Sequence, residues 1–216
     1  MELPLFPLNV VLFPGATLPL RIFEERYKEM IRRCLEERSP FGVVLIHKGN
    51  EVGEPAEPFE VGTTAHIARV EHLPEGRMNL ICLGGQRFRL RETIRREPYL
   101  VGEVEILASV SEDDAETLDL ADTAAVLFGE YHRLCLALSN QWSRTLNMPQ
   151  HPGDLADFIG NRLGVSLRSK QQLLEECSSR RRLQMEIDIL ADTIRELTPR
   201  VEATRAARWH SLGATN

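Results

Sequence analysis

The sequence is poor in the features that announce catalysis. It contains no GxxxxGK[ST] segment to cradle a nucleoside triphosphate, no GxSxG elbow for a nucleophilic serine and no HExxH pair for zinc. Its 4 cysteines, Cys34, Cys82, Cys135 and Cys177, stand far apart without a CxxC pair. That spacing excludes the common structural zinc frameworks and points to buried free thiols in a reducing compartment. The 6 histidines lack metal-ligand spacing, apart from an approach of His66 to His72 along a bent strand, so no metal and no cofactor are expected. Aromatic residues make up only 6%, and the net charge of −6 argues against a general affinity for nucleic acid. Glu2 precedes the first apolar stretch where a signal peptide would carry basic residues, and four prolines interrupt that stretch, so neither export nor a membrane span is expected. The expected location is the cytoplasm.

What the chain has is 216 residues of ordinary globular composition, 43% hydrophobic and 27% charged, with 12 prolines. The opening run LPLFPLNVVLFPGATLPLRIFEERY, residues 3–27, holds Pro4, Pro7, Pro14 and Pro19. Each removes a backbone donor and fixes a dihedral, so short extended pieces must alternate with turns, with a corner at Pro14-Gly15. A helix over about 24–37 follows from the spacing of Tyr27, Met30, Ile31, Cys34 and Leu35. FGVVLIH at 41–47 reads as a strand covered on both faces, and 48–60 as a long acidic loop. Two strands flank the turn Pro74-Glu75-Gly76 as a hairpin, Gly84-Gly85 marks a bend or bulge, and further strands follow at 87–91 and 99–107. Those strands suffice for a small closed or nearly closed barrel.

The pattern changes near residue 110. Ser111-Glu112-Asp113-Asp114 offers helix caps and first-turn charge, and the remainder is helical. An apolar seam runs through Leu120, Ala124, Leu127, Tyr131, Leu134 and Leu138. Leu155, Phe158, Ile159 and Leu163 line the next helix, a short helix occupies about 169–176, and Leu183, Ile187, Leu190, Ile194, Leu197 and Val201 line the last. Pro199 should kink or end that helix. Its seam is too short for an independent coiled coil, which favours a bundle core and leaves homodimerisation as the lesser alternative to a monomer.

The opening run, VGTTAHIARVEHLPEGRMNLICLGGQRFRL at 61–90 and KQQLLEECSSRRRLQMEIDIL at 170–190 together resemble the amino-terminal domain of Lon proteases, from Leu3 to about Leu197. The resemblance implies an α+β chain: a β-rich, PUA-like pseudobarrel over 1–110, a helical bundle over 111–205 and a tail at 206–216. It implies a stand-alone, non-catalytic substrate-binding protein that engages unfolded or extended polypeptide and works with a protease or as an adaptor. Arg21, Glu24 and Arg87 match its LRxFE and GxxRF patterns, where paired charges would lock strand to helix.

Polypeptide recognition needs exposed apolar surface or an open strand edge. Phe6, Leu8, Val10, Phe13 and Leu18 are the candidate contacts, although each is also a natural core residue. The competing reading is RNA binding through a basic strand face of Arg87, Arg89, Arg91, Arg95 and Arg96, and it predicts steep weakening with salt. Sparse aromatics around that face favour a solvated, ion-paired strand instead. A small-molecule ligand or reaction in a groove between the two parts is the third reading, with no nameable catalytic residues.

Overall fold

In the computed structural model, residues 1–49, 57–110, 112–139, 141 and 146–213 are described, without the side chains of 205 and 207–213. The strands are β1 (Glu2–Leu8), β2 (Thr17–Ile22), β3 (Phe41–Lys48), β4 (Glu57–His72), β5 (Met78–Arg95) and β6 (Val101–Ile106). The helices are α1 (Glu25–Glu37), α2 (Ala115–Leu138), α3 (Pro152–Arg162), α4 (Leu167–Glu175) and α5 (Ser179–Gly213). The chain divides into two compact units, Met1–Val110 with Gly160–Cys177, and Ser111–Ile159 with Ser178–Asn216.

In the first unit the sheet order is β2-β5-β4-β3-β1-β6, and β6 also pairs with β5. That second pairing closes β5, β4, β3, β1 and β6 into a barrel. The long β5 makes closure possible, because its first part pairs with β2 and its second with β6. β2 therefore lies outside the ring as an edge strand, and Pro19 sits on it, where a missing donor costs the barrel nothing. The parallel pairing of β1 with β3 is spanned by β2 and α1.

The interior is packed by Leu3, Leu5, Val44, Phe88, Leu100 and Val104. Phe88 reaches its place because Gly42 and Gly62 lack side chains; a Cβ on either would stand 2.6 or 2.8 Å from the ring. Phe6 stacks on Tyr27 at 4.0 Å between centroids, which fixes α1 against β1. Between Thr63 and Ala65 of β4 the facing β5 residues run from Arg87 to Gly84, so β5 carries an extra residue at the glycine pair, the expected bulge.

The sequence reading differs from the structure at four places. Residues 57–60 of the expected loop belong to β4, while 50–56 lie outside the described residues. The segment 160–177, expected in the helical half, packs within the first unit, because Gln171 Nε2 donates to the Val61 carbonyl at 2.9 Å and Arg87 donates to that of Leu174. α5 continues past Pro199 to Gly213, so 206–213 are not a ragged tail. Pro199 and Arg195 are both exposed, which leaves the carbonyl deprived of its donor open to water. On α2 the buried stripe is Thr117, Ala121, Ala124, Phe128 and Tyr131; it keeps Ala124 and Tyr131 of the expected seam, while Leu120, Leu127, Leu134 and Leu138 are half-buried at its side.

The second unit is helical, with α2 packed along α5. Leu183, Leu190 and Val201 of the α5 seam are buried, and Phe128 meets Phe158 edge-on at 5.8 Å. Arg182, 1% exposed, reaches Asp157 at 3.5 Å.

Candidate functional site

The apolar candidates of the opening run are mostly consumed by the fold. Phe6, Leu8 and Phe13 are buried, and Val10 and Leu18 are half-buried. The barrel and α1 cover them, Phe6 lying against both Tyr27 and Phe41. Phe6, Leu8 and Phe13 are therefore core residues, and only Val10 and Leu18 keep part of their surface in water.

The exposed apolar residues of this region lie beside them, on the outward face of β2 and β5. Register pairs Thr17 with Leu83, Pro19 with Ile81 and Arg21 with Asn79. The odd-numbered residues of both strands therefore face one way and the even-numbered ones the other. Met78, Leu80 and Cys82 point inward and are buried, whereas Ile81 is 39% and Leu83 43% exposed. Phe23, the first residue past β2, is 51% exposed. On the other side of β5, His66 pairs with Leu83, Arg69 with Ile81 and Glu71 with Asn79, all three exposed. The result is a sheet face with an apolar centre at Pro19, Ile81 and Leu83 and a rim of Arg21, Arg69 and Glu71. In the sequence the signal was the run Leu80-Ile81-Cys82-Leu83, apolar on both parities where a half-solvated strand alternates.

β2 also presents its outer backbone edge. Pro19 has no N–H, so its pair with Ile81 is one that exchanges no ladder hydrogen bonds, and Gly84 N donates to the Ala16 carbonyl at 2.8 Å in the alternate set. The backbone groups of Thr17 and Arg21 therefore point away from β5. Pro19 between them interrupts the edge, a device that blunts strand-on-strand aggregation.

The matched motif residues take separate roles. Arg21 is exposed on the rim. Glu24 is the residue before α1 and pairs with Arg26 at 2.9 Å, while Arg26 lies over the Tyr27 ring at 4.6 Å. Arg87 is 1% exposed; its Nε donates to the Leu174 carbonyl at 2.9 Å and its Nη1 lies 3.4 Å from the Ser109 hydroxyl. Arg87 thus joins β5 to α4, while Glu24 pairs with Arg26 in the first turn of α1.

The basic strand face is not assembled as such. Arg87 points into the protein, Arg89 is half-buried, Arg91 pairs with Glu105, and Arg95 lies 5.3 Å over the Tyr99 ring. Arg96 is exposed. A phosphate backbone could reach only part of the series, and one member is already neutralised.

Among the described residues no cluster of His, Cys, Asp or Glu could hold a metal ion, and no helix is long and apolar enough to cross a membrane. All four cysteines are free. Burial pushes the Cys82 thiol up to about 12 and raises that of Cys34, so both stay protonated at neutral pH and are poor nucleophiles.

Comparison with known proteins accounts for this architecture. Residues 2–192 match the model of the ATP-dependent protease La (LON) substrate-binding domain. The Lon protease of Anaeromyxobacter dehalogenans is 30% identical over 191 residues, covering 87% of this chain and 23% of the relative. That of Paraburkholderia phytofirmans is 32% identical over 196 residues, covering 88% and 24%. The chain thus spans about a quarter of the length of these curated relatives. Among solved structures, the Lon N-terminal domain protein from Xanthomonas campestris is 31% identical with a TM-score of 0.65, covering 88% of this chain and 98% of that one. The N-terminal domain of Mycobacterium avium complex Lon protease, 18% identical at a TM-score of 0.64, shares the fold over 89% of this chain and 99% of its own. The six-stranded sheet with five strands closed into a ring, its docked α4 and a match over residues 2–192 place the chain in the Lon substrate-binding domain family.

Proposed function

We propose that this chain is a non-catalytic recognition module that binds unfolded or extended polypeptide in the cytoplasm, as an adaptor for or presenter to a protease. The observation that carries the reading is the exposed apolar centre at Pro19, Ile81 and Leu83. An unfolded chain displays apolar side chains that a native protein hides, and such a face gains free energy by covering them. The rim of Arg21, Arg69 and Glu71 carries both signs of charge, so binding is weakly sensitive to salt.

Fluorescence anisotropy with a labelled, permanently unfolded polypeptide tests this. The wild-type protein should bind saturably, and the double substitution Ile81→Asn with Leu83→Asn should weaken binding by roughly tenfold or more while leaving thermal unfolding nearly unchanged. Equal binding by the two proteins would remove this face from the account. Binding to a structured RNA alone, falling steeply with salt, would replace the reading with one based on Arg89, Arg95 and Arg96.

A further inference from the structure

A second surface feature of the first unit lies between the start of β1, the last turns of α1 and the connection from β5 to β6. There a cavity of about 220 Å3 opens to solvent, walled by Leu3, Pro4, Pro40, Ile94 and Val101. This is smaller than the pockets of roughly 300–1,000 Å3 that hold drug-sized ligands, and it suits a single residue. Ile94, at its mouth, is 49% exposed. Tyr99 is 3% exposed and completes the wall together with Arg33.

Four charged side chains line the cavity, Glu2, Arg33, Glu37 and Arg95. Arg33 Nε donates to Glu37 Oε1 at 2.8 Å, which compensates that pair internally. Arg95 differs. Its guanidinium stacks over Tyr99 at 5.3 Å, and among the described residues no carboxylate pairs with it. Stacking on a buried ring restrains the guanidinium and leaves its donors free, which lowers the ordering cost of a new bond.

An apolar recess with a held cation at its mouth is complementary to a carboxylate carried directly beside an apolar group. In a polypeptide that combination occurs at the C-terminus, where the α-carboxylate and the last side chain share one carbon. We infer that this cavity receives the C-terminal residue of a bound polypeptide, the carboxylate on Arg95 and an apolar side chain against Ile94, Val101 and Leu3. The inference rests on the polypeptide-binding reading above and adds an end-reading site to it. Glu2 opposes the carboxylate and limits the affinity.

The test uses the full chain and a labelled ten-residue peptide ending in leucine, prepared with a free carboxylate and as the C-terminal amide. The free acid should bind about tenfold more tightly, the scale of one charge-assisted hydrogen bond. Arg95→Gln should abolish the difference without changing the melting temperature, since the side chain is exposed, and Glu2→Gln should enlarge it. Equal affinity for acid and amide in the wild-type protein would overturn the inference. So would displacement of the peptide by 4-methylpentanoate at matching concentration, which would assign the cavity to a small free acid. An amidated, permanently unfolded polypeptide separates the two readings. If it binds wild type and Arg95→Gln alike while the acid shows no advantage, the sheet face stands and the end-reading site falls.

Discussion

The Arg87 guanidinium and the Leu174 carbonyl, 2.9 Å apart, join the middle of β5 to the last turn of α4. The C-terminal carbonyls of a helix lack intrahelical donors, and a cation placed there meets both the orphan acceptor and the negative end of the helix dipole. Because Arg87 is 1% exposed, water cannot take its place. With the bond from Gln171 to the Val61 carbonyl, this contact ties 160–177 to the β-rich unit although the composition of that segment is helical.

Replacement of Arg87 by methionine should therefore destabilise the first unit by about 2–4 kcal/mol, the range for losing a buried charge-assisted contact and orphaning its acceptor. Arg87→Lys should recover only part, since a lysine keeps the charge but not the fork of donors. Urea unfolding followed by far-ultraviolet circular dichroism reads the midpoints. Wild-type stability in Arg87→Met would mean that α4 is held by its apolar residues Leu173 and Leu174 alone.

The second prediction concerns Gly84, at the β5 bulge. A Cβ there would stand 2.3 Å from the Phe13 carbonyl oxygen, and since both sides of the contact are backbone, neither can rotate away. Gly84→Ala should cost about 1–3 kcal/mol as an overpacking change. Gly15 is the matched control: it has φ +72 and nothing within 4 Å of a built Cβ. Gly15→Ala should cost only the left-handed conformation, about 1 kcal/mol. Calorimetry of the two variants should rank Gly84→Ala as the less stable, and the reverse order would show that the opening run can shift away from β5.

Much of this fold is written in local pattern. The spacing of Tyr27, Met30, Ile31 and Cys34 marks α1, Pro74-Glu75-Gly76 marks the turn between β4 and β5, and the change at residue 110 marks the start of the second unit. Barrel closure is not local: whether β5 pairs with β2, β4 or β6 depends on contacts made after the chain has turned back, and no periodicity carries them. The same holds for α4, whose bonds to the first unit join Arg87 to Leu174 and Gln171 to Val61, partners 87 and 110 positions apart in the chain. For the candidate face, counting apolar residues favoured the opening run, whereas parity decides exposure. Phe6 and Phe13 are large and near the start of the chain yet buried, while Ile81 and Leu83 differ from their buried neighbours only in pointing outward.

The last prediction is a pH dependence built into the second unit. Glu112 accepts hydrogen bonds at the first turn of α5: from the Arg180 backbone N–H at 3.0 Å, from the Ser178 hydroxyl at 2.8 Å and from that of Ser179 at 2.9 Å. The Arg180 backbone bond is the largest effect and holds its carboxyl below the ordinary value of 4.5; burial opposes it, and the two hydroxyls and the Arg180 charge add to the lowering. A carboxyl that gives up its proton more readily in the folded than in the unfolded chain stabilises the fold above the unfolded pKa. That contribution falls away as the pH drops below about 4.5 and through the lower folded value. Glu112→Gln keeps an acceptor but removes the charge, so it should unfold at lower temperature than wild type at neutral pH. The difference should shrink toward zero as the pH falls below the ordinary carboxyl value and through the lowered folded one. Asp114, lowered chiefly by the Thr117 backbone N–H, titrates in both proteins and cancels in the comparison. Because Glu112 is largely solvated, the effect should be modest and should diminish with added salt. A difference that stays constant from neutral to acid pH would mean that the cap works through hydrogen-bond geometry alone, with no contribution from the charge.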